Sequence, residues 1–246
     1  MRLYYFVTAR HAVEDIAKQR LKVSRFFDLN DPFELFAGEQ SDRSFRKKMK
    51  DWAEKLNEQE GVLCFTKGWR DPLMWSHYGD RHRGMCLGFD VCDLIVKPID
   101  YRPERLSFDE WKGLNAADPP RGLVERLLTT KFARWEYENE RRVIVHLAGL
   151  VPEKEGGDCF FRRFDGDLRL VEVFAGPRCC VKWKPHIKRA IEQLPAKPSV
   201  IKTRLSFKQF KVVTQKVENS VQRGFESDIY WRECGCRSPR PHDIVE

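Results

Sequence analysis

The chain has 246 residues, 41% hydrophobic and 12% aromatic, which excludes a disordered chain as its main state. Every apolar run is broken by a charge or a turn residue well before the roughly 18 residues of a membrane-spanning helix. Its 45 basic and 37 acidic residues leave a net charge of +8. The charge is local: residues 178–216 hold 11 basic side chains and one acid, Glu192, for +10, leaving −2 for the rest. Such a concentrated patch is the footprint of a polyanion binder, with a solvated basic face as the alternative.

The opening segment MRLYYFVTARHAVED lacks the apolar core and small-residue cleavage site of a signal peptide, so a cytoplasmic protein is expected. Eight cysteines in a chain of this length then read as free thiols rather than a disulfide framework. Only Cys234-Gly-Cys236, with His242 beyond it, approaches metal-ligand spacing, and no metal is expected.

Taken in chain order, RLYYFV (2–7) predicts a first strand. Thr8 caps a helix with Val13, Ile16, Ala17 and Leu21 on one face. The run VSRFFDLNDPFELF reads as strand-like, ending in a turn at Asn30-Asp31-Pro32. Phe45, Met49, Trp52 and Leu56 form the apolar stripe of a helix from Asp42 to about Asn57. GVLCFT (61–66) and MCLGF (85–89) predict strands around a short helix opened by Asp71-Pro72. LIVKPIDY predicts another strand, and Ser107 and Glu110 form a capping box ahead of Trp111. Pro119-Pro120 opens a helix with Val124, Leu127, Leu128 and Phe132. Residues 135–149 read as a central strand and 168–175 as the next. Pro185 opens a helix that turns Ile187, Ala190, Ile191 and Leu194 inward, and 199–206 and 207–213 close the sheet. Strands and helices mix without strict alternation. The expected fold is α+β, a mixed and mostly antiparallel sheet with several flanking helices, one domain over 1–213 and a tail over 214–246.

Dinucleotide, P-loop, zinc-protease and nucleophile-elbow motifs are absent from the sequence. Chemistry must come from three less specific clusters. On a strand, Glu136, Glu138, Glu140 and Arg142 share one face, where carboxylates beside a core need partners or a ligand. Trp75, His77 and Tyr78 offer stacking surface, a titratable ring and a hydroxyl. The third cluster is Asn30-Asp31-Pro32-Phe33-Glu34, whose Asn-Asp-Pro start good turn chemistry also explains.

The pattern LYYF, then LNDPFE, then CFT…DPLMWSHYGDRHRGMCLGFD, then WEYENERR, then VFAGPRC resembles a family of bacterial proteins known as domain of unknown function 2971, over residues 2–213. The layout also resembles toxin-class ADP-ribosyltransferases. That resemblance implies NAD as substrate, in a bacterial toxin or a phage-defence system. It puts Tyr5 at the first-strand position, where His or Arg is common, and CFT (64–66) as a partial stand-in for a Ser-Thr-Ser strand. Glu140 or Glu138 matches the late glutamate, facing an oxocarbenium-like ribose, with Trp75 or Tyr78 holding nicotinamide. The catalytic candidates are therefore Glu138 and Glu140, and the substrate-binding candidates Tyr5, Asn30, Asp31, Trp75, His77, Tyr78 and Arg142.

Two other classes compete. A metal-dependent nuclease would use Glu138, Glu140 and Asp71 as ligands, with Lys131 on the phosphate side. A nucleic-acid-binding module would use Lys184, Lys188, Arg189, Lys202, Arg204 and Lys208 with Trp183, Phe207 and Phe210. Over residues 202–208, Lys202, Arg204, Ser206 and Lys208 are expected outward and Thr203, Leu205 and Phe207 inward.

Overall fold

The computed structural model describes residues 1–107, 109, 120–153 and 159–215. In chain order the elements are β1 (Arg2–Val7), α1 (Ala9–Lys18), β2 (Arg20–Val23), α2 (Arg43–Gln59), β3 (Glu60–Thr66), α3 (Pro72–His77), β4 (Met85–Val91), β5 (Val96–Pro98), β6 (Asp100–Arg102), α4 (Arg121–Thr129), β7 (Thr130–Phe132), β8 (Glu140–His146), β9 (Phe160–Arg163), β10 (Leu168–Ala175), α5 (Lys184–Glu192), β11 (Ser199–Leu205) and β12 (Val212–Thr214). The fold is α+β, with mostly antiparallel strand pairs. Among the described residues no helix is long and apolar enough to cross a membrane. Glu110 and Trp111 of the capping box, and the tail from residue 216 with its two cysteines, lie outside the described residues.

The chain forms two compact units, each built from separated segments. Of the described residues, unit 1 holds those in Met1–Leu21, Phe65–Asp93 and from Arg163 to Gln215; unit 2 holds those in Lys22–Cys64 and Leu94–Arg162.

In unit 1, β4 is a central strand, antiparallel to β1 from Arg2↔Asp90 to Val7↔Met85 and antiparallel to β10 on its other edge. β11 runs parallel to β10 after the crossover through α5, whose Ile187, Ala190 and Ile191 are buried where it packs on α1. Trp75, on the one-and-a-half-turn α3, is fully buried. Its indole Nε1–H donates to the Trp69 carbonyl at 2.6 Å, and its ring meets Phe6 edge-on at 5.0 Å.

The loop after α3 explains why Gly176 is a glycine. Asp80, Arg81 and His82 take left-handed φ values of 46°, 52° and 69°, which L side chains adopt at a cost. The loop is held by backbone bonds: His82 N–H to the Trp75 carbonyl (2.9 Å), Gly176 N–H to the Gly84 carbonyl (3.0 Å) and Arg178 N–H to the His82 carbonyl (2.9 Å). A Cβ on Gly176 would stand 2.5 Å from the His82 carbonyl oxygen and 2.7 Å from that of Gly84. Backbone cannot yield as a side chain tip can. Gly176→Ala is therefore expected to destabilise the protein by about 1–3 kcal/mol, the usual range for overpacking, read as a lower urea midpoint. An unchanged midpoint would show that the loop relaxes freely.

In unit 2, α2 starts at Asp42, whose carboxylate accepts the Phe45 N–H at 2.7 Å. Phe45, Met49, Trp52, Ala53 and Leu56 form its buried stripe, packed with Phe26, Leu35, Val62, Leu106, Leu127 and Leu128. β8 lies between β3 and β5, with Val96↔Val143 in register. β6 and β7 form a short parallel pair.

Several local expectations are corrected. The strand-like run before LNDPFE is a 3-10 turn at Phe26–Asp28 followed by a tight turn, because Asp31 Oδ1 accepts the Phe33 N–H (3.0 Å) and its carbonyl the Glu34 N–H (3.1 Å). Residues 133–138 form a 3-10 helix rather than strand, and the chain enters β8 only after Asn139 adopts a left-handed conformation. Ala17 and Phe132 are exposed. Leu205 and Phe207 also face solvent, since β11 ends at Leu205 and the chain turns away from the sheet.

Candidate functional site

Unit 2 carries a buried ionic cluster. Arg142, third in β8, has no exposed surface. Nη1 and Nη2 grip Glu34 at 2.8 and 2.5 Å, Nε and Nη2 reach Glu140 at 2.7 and 3.3 Å, and Nη1 donates to the Leu128 carbonyl at 2.8 Å. All five N–H donors of the guanidinium thus have acceptors. Lys131 in β7 supplies the second cation. Its Nζ lies 2.6 Å from Glu138, 3.2 Å from Glu140 and 3.9 Å from Glu34, and 4.9 Å from the centre of the Trp135 ring.

The local chain explains the convergence. Glu140 and Arg142 are two apart on one strand and so share a face. The 3-10 turn that ends at Glu138, with Asn139 left-handed, brings a third carboxylate to the same side. The Glu140 N–H donates to the Tyr101 hydroxyl at 2.8 Å.

Burial acts on Glu140, Glu34 and Lys131, and on Tyr101 and Cys64 beside them. It would raise Glu140, but Arg142 and Lys131 outweigh it and hold that carboxyl at about 2. Burial lifts Glu34 above its ordinary value, against the pull of Arg142. For Lys131, burial is outweighed by Glu140, Glu138 and Glu34, and its ammonium is held above the ordinary lysine range. Burial pushes the Tyr101 hydroxyl up to about 12, and burial with Glu140 keeps the Cys64 thiol protonated.

A cavity of about 280 Å³ opens in the same unit. Phe33, Phe36 and Phe132 give it aromatic walls, and its charged lining residues are Arg102, Arg105 and Lys131 with the acids Asp31 and Glu104. The Arg105 guanidinium sits 4.8 Å from the centre of the Phe33 ring. Lys131 belongs to both features: it lines the cavity and its amine is held by the carboxylates behind.

Of the sequence-derived candidates, Glu138, Glu140 and Arg142 meet in this cluster, and Asp31 lines the cavity with Asn30 exposed on the same turn. Tyr5, Trp75, His77 and Tyr78 belong to unit 1. Tyr5 pairs with Leu87 and packs 5.9 Å from Phe65, centroid to centroid; Trp75 is core; His77 is exposed, 6.2 Å from the Tyr78 ring. The basic candidates are also in unit 1: Lys188, Arg189 and Lys208 exposed, Lys184 half-buried, Lys202 donating to the Gly176 carbonyl and Arg204 lying 4.5 Å from the Phe207 ring centre.

For the metal-dependent reading, the Lys131 ammonium occupies the space between Glu138 and Glu140, and Asp71 caps α3 through the Leu73 N–H at 2.7 Å. Among the described residues no group of three or more His, Cys, Asp or Glu is arranged to hold a metal ion. Sequence reasoning placed Phe33 and Glu34 in the third cluster without giving them a role, and missed Tyr101, Arg102 and Arg105. Only Glu34 carried a signal, as an acid set directly before the apolar pair Leu35-Phe36. Compared with protein-family models, curated proteins and solved structures, the chain matches none.

Proposed function

We propose that unit 2 is a nucleotide-binding module whose cavity takes one base with its sugar and phosphate. The observation that carries this reading is the double role of Lys131, a cavity wall whose amine is fixed at 2.6 and 3.2 Å by Glu138 and Glu140. Aromatic walls suit a flat base. The guanidiniums of Arg102 and Arg105 suit a phosphate, which arginine binds through its planar fork. A cavity of about 280 Å³ stands at the lower end of small-molecule sites, so it fits half of a dinucleotide rather than a whole one. Glu138, Glu140 and Arg142 act as positioning residues, holding Lys131 against the wall.

A second reading is cleavage of the nicotinamide–ribose bond of NAD. It is favoured by one observation, that the Glu140 carboxylate lies 3.2 Å from the amine of Lys131, a residue that lines the cavity. A fixed carboxylate stabilises an oxocarbenium-like ribose.

The test is a thermal-shift panel on the full chain with adenosine, AMP, nicotinamide mononucleotide, NAD and inorganic phosphate, followed by assay of free nicotinamide. Both mononucleotides are expected to raise Tm and adenosine much less, because ligands that bind only the folded state stabilise it by mass action. Release of nicotinamide from NAD would establish the second reading, and AMP binding without any release of nicotinamide the first. No Tm rise with any nucleotide at millimolar concentration would overturn both.

A further inference from the structure

We propose that the tip of the β11–β12 hairpin in unit 1 is a binding site for single-stranded nucleic acid, with Phe207 and Phe210 as stacking platforms for unpaired bases. This site is separate from the cavity of unit 2 and does not depend on the reading given for it.

The tip is built, not loose. β11 and β12 pair antiparallel up to Leu205↔Val212. In the loop beyond, the Ser206 N–H donates to the Lys211 carbonyl at 2.9 Å. The Ser206 hydroxyl accepts the N–H groups of Lys208 and Gln209 at 3.2 and 3.3 Å. The Lys211 N–H donates to the Gln209 carbonyl at 2.8 Å. These bonds fix the loop with Phe207 90% and Phe210 97% exposed. Beyond the Arg204 contact of Phe207, the two phenyl rings bury little in the folded chain, and large aromatic side chains held in water on an ordered loop mark a contact surface. Pre-ordering also lowers the entropy lost on binding.

The charge selects the partner. No acid occurs between residues 193 and 217, while Lys202, Arg204, Lys208 and Lys211 lie along the strand and loop. Lys208 and Lys211 are exposed beside the rings. Rings interleaved with cations match a polymer that alternates flat bases with phosphates. A lipid surface is less suitable, because Arg204 stands 4.5 Å from the Phe207 ring centre and would enter the apolar layer with it. A base can stack on the open side of the same arrangement. Duplex DNA hides its bases from such a platform, so an unpaired strand is the ligand.

The test is fluorescence anisotropy of the full chain with a labelled oligothymidine, the same label on a duplex, and vesicles containing phosphatidylserine. The single strand is expected to bind most tightly. Phe207→Ala with Phe210→Ala should weaken it about tenfold or more, as loss of base stacking does, with the salt slope kept. Lys208→Ala with Lys211→Ala should flatten the slope of log affinity against log salt by about 1.4, two phosphate contacts' worth on a single strand. All four positions are exposed, so Tm should hold in both variants. Equal or tighter binding to the duplex, unchanged affinity in the phenylalanine variant, or capture by vesicles without oligonucleotide binding would each overturn the proposal.

Discussion

Replacing Arg142 by Met is expected to destabilise the protein by about 3–5 kcal/mol, because the substitution leaves buried carboxylates without their partner. Arg142 satisfies Glu34 with two parallel bonds and Glu140 with two more, and it has no exposed surface through which water could replace it. For a chain of this size that loss corresponds to a fall in Tm of roughly 6–20 °C. Arg142→Lys should recover only part of it, since a single ammonium cannot form the planar fork that holds Glu34. Urea unfolding of the three proteins decides the matter. A methionine variant within about 1 kcal/mol of the wild type would mean that the cluster is hydrated and not a buried ionic core.

Stability should peak between about pH 4 and 5 and fall on both sides. Glu140 is responsible for the acid limb. Burial opposes its ionisation, Arg142 and Lys131 outweigh burial, and the carboxyl titrates at about 2 instead of 4.5. A folded value below the unfolded one contributes stability above about pH 4.5, and this is lost as pH falls towards 2, a difference of roughly 3 kcal/mol. Asp15 in unit 1 has the opposite sign. Burial on the inner face of α1 lifts it from 3.8 to about 8. Its contribution is complete below about pH 3.8 and is lost as pH rises towards 8. Urea midpoints collected from pH 2.5 to 8.5 should therefore flatten on the acid side in Glu140→Gln and on the alkaline side in Asp15→Asn. A wild-type profile that is level from pH 2.5 to 5 would contradict the assignment of Glu140.

The parts of the fold readable from sequence were those governed by near neighbours. The stripe Phe45, Met49, Trp52 and Leu56 and the Asp42 cap needed only helical spacing, and both are present. So are β1, β3, β4 and the inward face of α5. The WEYENE run misled because its alternation of large and charged residues is shared by a strand and a 3-10 turn. The choice is made by Lys131, whose amine draws Glu138 inward from β7. Glu34 lay inside a recognised turn, but its burial depends on Arg142, 108 residues further on. Phe207 looked like an inward strand residue until Ser206, bonding to Lys208 and Gln209, ended the strand ahead of it. In each case a partner distant in sequence, or a single side-chain cap, outweighed the local pattern.

The central claim is that the unit 2 cavity holds a nucleotide between its aromatic wall and its arginines. Its most direct measurement is calorimetric titration of AMP into the full chain, wild type beside Phe33→Ala and Arg102→Ala. Wild type is expected to bind one AMP with a Kd below about 1 mM, equivalent to more than about 4 kcal/mol. Each variant should bind at least about tenfold more weakly while Tm without ligand stays nearly the same, since Phe33 is 47% exposed and Arg102 partly so. Heat of binding that is absent in the wild type, or undiminished in both variants, would contradict the assignment of this cavity.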